Sequence, residues 1–459
     1  MYQIDFHKPM HLHFIGIGGI SMSGLAEILL GEGFTISGSD AKESPLTRSL
    51  EEKGIQVFYG QRASNITDGV EAVIYTAAIH PDNPEFACAA KKGLPMLTRA
   101  QLLGQIMQNY GTSIAVSGTH GKTTTTSMIS QILLEADCDP TISVGGILPS
   151  IGGNIRVGKS QTFITEACEY TNSFLSLFPK ISIILNMDAD HLDFFKDMED
   201  IRHSFREFAL RLPEDGTLII NADTPHYEDI IRDLPCQVIT YGLEKEAMYQ
   251  ASHITYDKYG HASFTVLKDG KKSGSFYLKV PGLHNVSNAL SAIALAQLLE
   301  IPSPSIVKGL GSFTGTDRRF QYKGEVAGVT VIDDYAHHPT EIQATLQAAA
   351  NYPHQKIWCV FQPHTYTRTK ALLPEFARAL TLADHVVLAD IYAAREKDTL
   401  GISSEDLQEE IRKNGTPCDY FPTFDEIENF LLKNCTQGDL LITMGAGDVV
   451  NIGEHLLGK

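Results

Sequence analysis

The chain has 459 residues, a formal net charge of −18 and 43% hydrophobic residues. That length suits about three domains with sizeable cores, and the acidic balance argues against nucleic acid or an anionic membrane surface as the partner. Seven scattered cysteines with no C-x-x-C pair argue against a zinc knuckle and suit reduced thiols. The N-terminus has no apolar signal core and no run approaches about 18 apolar residues, so a soluble, cytoplasmic chain is expected.

From residue 11 to about residue 99 short strands alternate with helices. Residues 13–18 read as a strand entering a glycine turn, 21–30 as a helix, 34–40 as a strand, 45–53 as a helix and 72–76 as a strand. Such alternation predicts an α/β fold with a parallel sheet covered on both faces. Gly16, Gly18 and Gly19 follow the first strand and Asp40 closes the second. This approximates a dinucleotide fingerprint, with Ser21 where its third glycine would stand. A glycine turn at a helix start accepts a pyrophosphate, and an acidic residue about 20 positions on meets a ribose or base. A nicotinamide-dependent oxidoreductase is one reading of this segment alone.

A β-branched strand at residues 113–117 leads into Gly118, Thr119, His120, Gly121, Lys122, Thr123 and Thr124, and an apolar-periodic helix follows. Strand, Gly-Lys-Thr turn and helix form a phosphate cradle. The helix start offers free N–H groups, Lys122 reaches the β/γ-phosphates of ATP, and the Thr123 hydroxyl binds Mg²⁺. Only two residues separate the glycines, against four in the standard pattern. The strands at 161–166 and 181–186 end in polar residues, at Glu166 and just before His191. Either group suits a second Mg²⁺ or a phosphate, whereas Asp188, Asp190 and Asp193 read mainly as an acidic turn capping a helix. Residues 145–154 read as a glycine-rich loop able to close over substrate.

Residues 252–280 alternate as strands around a hairpin, and His284, Asn285 and Asn288 open the next helix, where they suit a nucleotide base. A third unit starts near residue 315 with strands at 329–334, 357–361, 385–390 and 440–444. Arg318 and Arg319, directly after Asp317, bring cations to its start. His337, His338 and His364 sit at its strand ends, although adjacent histidines rarely converge on one zinc ion.

Together these residues closely resemble the Mur ligase family, the ATP-dependent amide-forming enzymes of peptidoglycan precursor synthesis. In that family the two-residue gap of residues 118–123 is the usual form of the phosphate loop. Residues 14–26, 333–341 and 361–364 resemble the branch that adds L-alanine. A sister branch that attaches a recycled peptide is the nearest alternative. The resemblance implies three domains: a Rossmann-like UDP-binding unit at 1–108, a P-loop ATPase unit with added antiparallel strands at 109–315, and a Rossmann-like unit at 316–459. It implies ATP and Mg²⁺ as cofactors, UDP-N-acetylmuramate and L-alanine as substrates, an acyl phosphate intermediate, and a monomer or homodimer.

Carried over residue by residue, Lys122 meets the transferring phosphoryl group, while Thr123, Glu166 and His191 hold metal. His284, Asn285, Asn288, Arg319 and Asp334 face ATP. Gly16, Gly18, Gly19, Ser21 and Asp40 belong to the UDP-sugar. Tyr335, His337, His364 and Arg368 lie near the amino acid and acyl phosphate. Arg206 stands where several members carry a carbamylated lysine, which accords with the alanine-adding branch. Thr365 stands where that branch often has arginine, so Arg368 is expected to carry more of the cationic load.

Overall fold

The computed structural model describes residues 3–76, 78–394 and 396–459. Three sheets organise the chain. The first runs Gln56–Tyr59, Thr35–Asp40, His11–Ile15, Ala72–Tyr75 and Met96–Thr98, all parallel. This is the 3-2-1-4-5 strand order of the doubly wound dinucleotide-binding fold, without its sixth strand. The third is parallel except for its edge strand Gln321–Val326, which pairs antiparallel with Val329–Asp334. Alternation along Ile357–Phe361 shows how it is covered on both faces. Cys359 and Phe361 enter one apolar cluster with Ile342 and Phe376, and Trp358 and Val360 enter another with Ile427 and Leu431.

The middle sheet has ten strands. Thr112–Ser117 sits between Ile181–Ile184 and Thr162–Ala167, all parallel. Thr217–Asn221 and Gln237–Gly242 continue it in parallel on the Ile181–Ile184 side. Beyond them Tyr249–Tyr256, His261–Lys268 and Lys271–Pro281 form an antiparallel extension. The α/β class with parallel sheets and added antiparallel strands agrees with the sequence reading. No described helix is long and apolar enough to cross a membrane.

The first and middle units share one apolar core, in which Leu12, Phe14 and Phe34 join Phe163, Phe174, Phe205 and Phe208. At the seam, the helix Arg99–Met107 lies against the backbone of residues 176–177. A Cβ added to Gly104 would stand 1.9 Å from the Ser176 carbonyl oxygen, and backbone cannot rotate out of the way. Gly104→Ala is therefore expected to destabilise the protein by at least about 1–3 kcal/mol, read as a lowered Tm in thermal denaturation. Melting at the wild-type temperature would sink that packing argument.

The glycine-rich stretch at 145–154 is not a loop. Thr141–Leu148 and Gly153–Arg156 pair as a hairpin around a 3₁₀ turn at Pro149–Ile151. Gly145 serves close approach instead of mobility: its N–H donates to Glu166 Oε1, and a Cβ there would lie 2.9 Å from that carboxylate.

Candidate active site

The phosphate loop follows the central strand Thr112–Ser117 and opens the helix Lys122–Glu135. Gly121 precedes that helix at φ +84°, a left-handed conformation that costs glycine little, and a Cβ there would lie 2.7 Å from Asn288 Oδ1. Asn186 braces the loop in both directions. Its Oδ1 accepts the His120 N–H at 2.8 Å and its Nδ2 donates to the His120 carbonyl at 3.0 Å. Thr119 adds a second tie, its hydroxyl accepting the Asp188 N–H at 2.9 Å. The loop's shape is thus set by the neighbouring strand end.

Around it the charged groups are dense. Thr123 Oγ1 donates to Glu166 Oε2 at 3.1 Å. Burial pushes the Glu166 carboxyl up, partly offset by the Gly145 N–H and Lys122. Lys122 Nζ donates to the Gly118 and Thr119 carbonyls and to Glu169 Oε2, the last at 2.9 Å. Burial disfavours the Lys122 ammonium, yet Glu169 and its neighbours win and raise its pKa. His191 adopts φ +54°, stacks on Tyr170 with ring centroids 4.4 Å apart, and holds Nε2 3.8 Å from Glu169 Oε1.

Two cavities meet at this loop. One of about 410 Å³ is lined by His120, Gly121, Thr124, His284, Asn285, Asn288, Arg319 and Asp334. In it burial lowers the His284 pKa to about 4 and raises that of Asp334 to about 6. The other, about 660 Å³, is lined by Thr119, Lys122, Thr123, Glu166, His191, Arg319, Tyr335 and His337. Gly121, Arg319 and Glu341 border both. The structure so gathers residues from the middle and third units around Lys122.

The first-unit residues divide. Ser21 Oγ accepts from Arg99 Nη1 at 3.1 Å and lines a third cavity, about 300 Å³, together with Asn154 and Glu166. Asp40 instead braces the glycine turn, its Oδ2 accepting the Gly18 N–H at 2.8 Å, beside Gly16 at φ +83° and Gly19, which precedes the helix Ile20–Gly31.

The acidic turn does not cap the helix that follows; Asp197 does, accepting the Glu199 and Asp200 N–H groups. Asp188 and Asp190 are instead engaged by the third unit, and Asp193 accepts the Tyr170 hydroxyl. Thr340 donates to Asp188, and His338 Nε2 lies 3.1 Å from the Ala189 carbonyl. Arg368 donates to Asp190 Oδ1 through Nε at 3.1 Å and Nη2 at 2.9 Å, while its Nη1 lies 3.1 Å from His364 Nδ1. His337 and His338 therefore diverge, His337 lying beside His364 and His338 beside His120. Arg206 points elsewhere, donating to the carbonyls of Asp229, Ile230 and Arg232 at the end of the helix Tyr227–Ile231.

His120 links phosphate loop and third unit directly. Its Nε2 lies 3.2 Å from Asp188 Oδ2 and its Nδ1 3.2 Å from Glu341 Oε1, with the His338 ring 4.8 Å away. Burial alone would lower its pKa; hydrogen bonds to Asp188 and Glu341 outweigh that and push it up to about 9 from 6.5. A folded pKa above the unfolded one means stability fully present below about pH 6.5 and lost as pH rises through about 9. The Tm difference between wild type and His120→Gln should accordingly shrink from pH 6.5 to 9. A difference flat across that range would show that His120 does not carry the contact as a cation.

Asn186 and Glu169 went unassigned in the sequence. For Glu169 a signal existed, a second acid three positions after Glu166; for Asn186 none did beyond its place at a strand end.

Profiles of known families match in chain order: "Mur ligase family, catalytic domain" at 11–111, "Mur ligase middle domain" at 116–296 and "Mur ligase, glutamate ligase domain" at 318–447. The chain is 64% identical to a UDP-N-acetylmuramate–L-alanine ligase of Agathobacter rectalis and 61% identical to one of Lachnospira eligens, covering 100% of each chain in both cases. Among solved structures it is similar to the UDP-N-acetylmuramate-alanine ligase of Thermotoga maritima (TM-score 0.80, 29% identity, 98% of both chains). It is also similar to a murein peptide ligase of Psychrobacter arcticus (TM-score 0.69, 26% identity, 98% of both chains). Full-length identity above 60%, with all three family profiles in order, places the chain in the Mur ligase family.

Proposed function

We propose that the chain is an ATP-dependent ligase that joins L-alanine to the lactyl carboxylate of UDP-N-acetylmuramate, with release of ADP and phosphate. The observation that carries this reading is the meeting of two cavities at Gly121 and Arg319, beside Lys122: one side suits a nucleotide, the other a carboxylate and an amine. ATP lies with its base toward His284, Asn285 and Asn288, its ribose near Asp334 and its phosphates near Arg319 and Lys122. UDP-N-acetylmuramate enters from the first unit past Ser21, with Gly16, Gly18, Gly19 and Asp40 shaping the turn beneath it. The domain limits 1–108, 109–315 and 316–459 belong to the same proposal.

The Thr123 hydroxyl and the half-buried Glu166 carboxylate fit a magnesium ion, which takes hard oxygen donors, and His191 suits a second divalent ion. Bound there, the metal would neutralise charge on the phosphate oxygens. The chain's own part is positional and electrostatic. Lys122 stabilises the charge spread over the transferring phosphoryl group as the lactyl carboxylate oxygen bonds to the γ-phosphorus and the bond to ADP breaks. The amine of alanine then attacks the acyl phosphate carbon, and phosphate leaves through a tetrahedral intermediate. Tyr335, His337, His364 and Arg368 border this step. His337 Nδ1 donates to the Tyr335 carbonyl at 3.0 Å, and its pKa is lowered by burial to about 4. His337 is therefore neutral, with its Nδ1–H committed to that carbonyl and its lone pair on Nε2.

ADP formation with UDP-N-acetylmuramate and each candidate amine in turn tests the reading. L-alanine should raise ADP release well above the amine-free control, and a preformed stem peptide should not. No increase with L-alanine would overturn it.

A further inference from the structure

Three hydrogens are all an ammonium group can donate, and in this structure Lys122 uses three acceptors of the protein itself: the carbonyls of Gly118 and Thr119 and the Glu169 carboxylate. A phosphate oxygen can engage Lys122 only by displacing one of them. The two carbonyls belong to the phosphate loop and move with it. Glu169 does not: it follows the strand Thr162–Ala167, is 2% exposed, and sits 47 positions from Lys122 in sequence. It is also half satisfied. Oε2 accepts from Lys122, while Oε1 is buried with no hydrogen-bond partner among the described residues. His191 Nε2 lies 3.8 Å from Oε1, outside hydrogen-bond range. A buried carboxylate oxygen left unpaired is costly, so a shift of less than about 1 Å that brought His191 Nε2–H onto it would be favourable.

We propose that Glu169 is a positioning residue that holds Lys122 in a parked state when no nucleotide is bound and exchanges it for His191 when the lysine turns to phosphate. This rests on the reading that Lys122 meets the phosphates of ATP. Parking keeps Lys122 charged and inside the site, and it makes the carboxylate a competitor of the nucleotide. The exchange has a second consequence. With Nε2–H donated to Glu169, the lone pair of His191 lies on Nδ1, so one carboxylate sets both the release of the lysine and the tautomer of the histidine.

Competition is measurable without metal and without turnover. Binding of a non-hydrolysable ATP analogue is titrated in EDTA by calorimetry for wild type, Glu169→Gln, Lys122→Ala and the double variant. Glu169→Gln retains shape and one acceptor oxygen but no charge, and losing a charge-assisted hydrogen bond from the competitor should tighten analogue binding by at least about tenfold. In the Lys122→Ala background the same substitution should change it less than about twofold, because there is no lysine left to release. In the catalytic assay Glu169→Gln should lower kcat while KM for ATP falls, whereas a general loss of structure raises KM. Analogue affinity equal to or weaker than wild type, in a Glu169→Gln protein that melts like wild type, would overturn the proposal. Should that variant fail to fold, Glu169→Asp retracts the carboxylate by one methylene and should tighten binding in the same direction; unchanged affinity there overturns it equally. A wild-type protein that binds no analogue would instead overturn the nucleotide reading, and the inference with it.

Discussion

Lys122→Ala is expected to lower the rate of ADP formation by at least about 10²-fold, the loss typical for one electrostatic donor in a preorganised site. The reason is geometric as well as electrostatic. Lys122 opens its helix directly after Gly121, beside the N–H groups of the helix start, and Thr123 one position on is tied to Glu166. Among the described residues no other lysine lines the cavity around Lys122, apart from Lys323, whose ammonium is paired with Glu454. The substitution has a structural cost too, because it leaves the buried Glu169 carboxylate without its cation. The two effects separate in the double variant Lys122→Ala/Glu169→Gln, which should recover much of the lost Tm and none of the lost rate. A folded Lys122→Ala protein with near-wild-type turnover would remove the lysine from the reaction.

Arg368→Ala should be nearly as damaging, through docking of the third unit. The guanidinium reaches Asp190 with two N–H groups, both side chains are about 90% buried, and the partners lie 178 positions apart. Burial would raise the Asp190 pKa, but Arg368 and His191 hold it well below the usual carboxylate range. Truncating the arginine leaves that charge buried and unpaired, a loss of about 3–5 kcal/mol unless the units separate and admit water. Separation is the expected outcome. The radius of gyration from solution scattering should rise, and the rate should fall on the order of 10²-fold because the third-unit residues leave their positions. Arg368→Lys keeps the charge but not the two-pronged geometry and should fall between. Wild-type scattering and rate in Arg368→Ala would show that the docking rests on His338, Thr340 and Glu341 instead.

Much of this protein could be read before folding, and the residues say why. A strand, a glycine turn and a helix start are contiguous, so Gly118 to Thr124 announces its strand–turn–helix loop in seven consecutive letters. A buried parallel strand such as Ile357–Phe361 is a continuous apolar run, and its end marks where polar groups collect. Short strands such as Met96–Thr98 and Cys418–Tyr420 carry too few residues for a period to show. The stretch at 145–154 misled for a different reason. Glycine is needed both for loose chain and for close approach, and only the position of Glu166 distinguishes the two.

By itself, then, the sequence determined the α/β class, the three-part order and the strand–turn–helix at Lys122, because each depends on neighbours along the chain. The tertiary structure alone decided what holds that loop and what faces it. Asn186 braces His120 across 66 positions, Glu169 parks Lys122 across 47, and the third unit clamps Asp188 and Asp190 across about 150 and more. Which residues meet over such distances follows from strand order, register and docking of the units, and no local period encodes these.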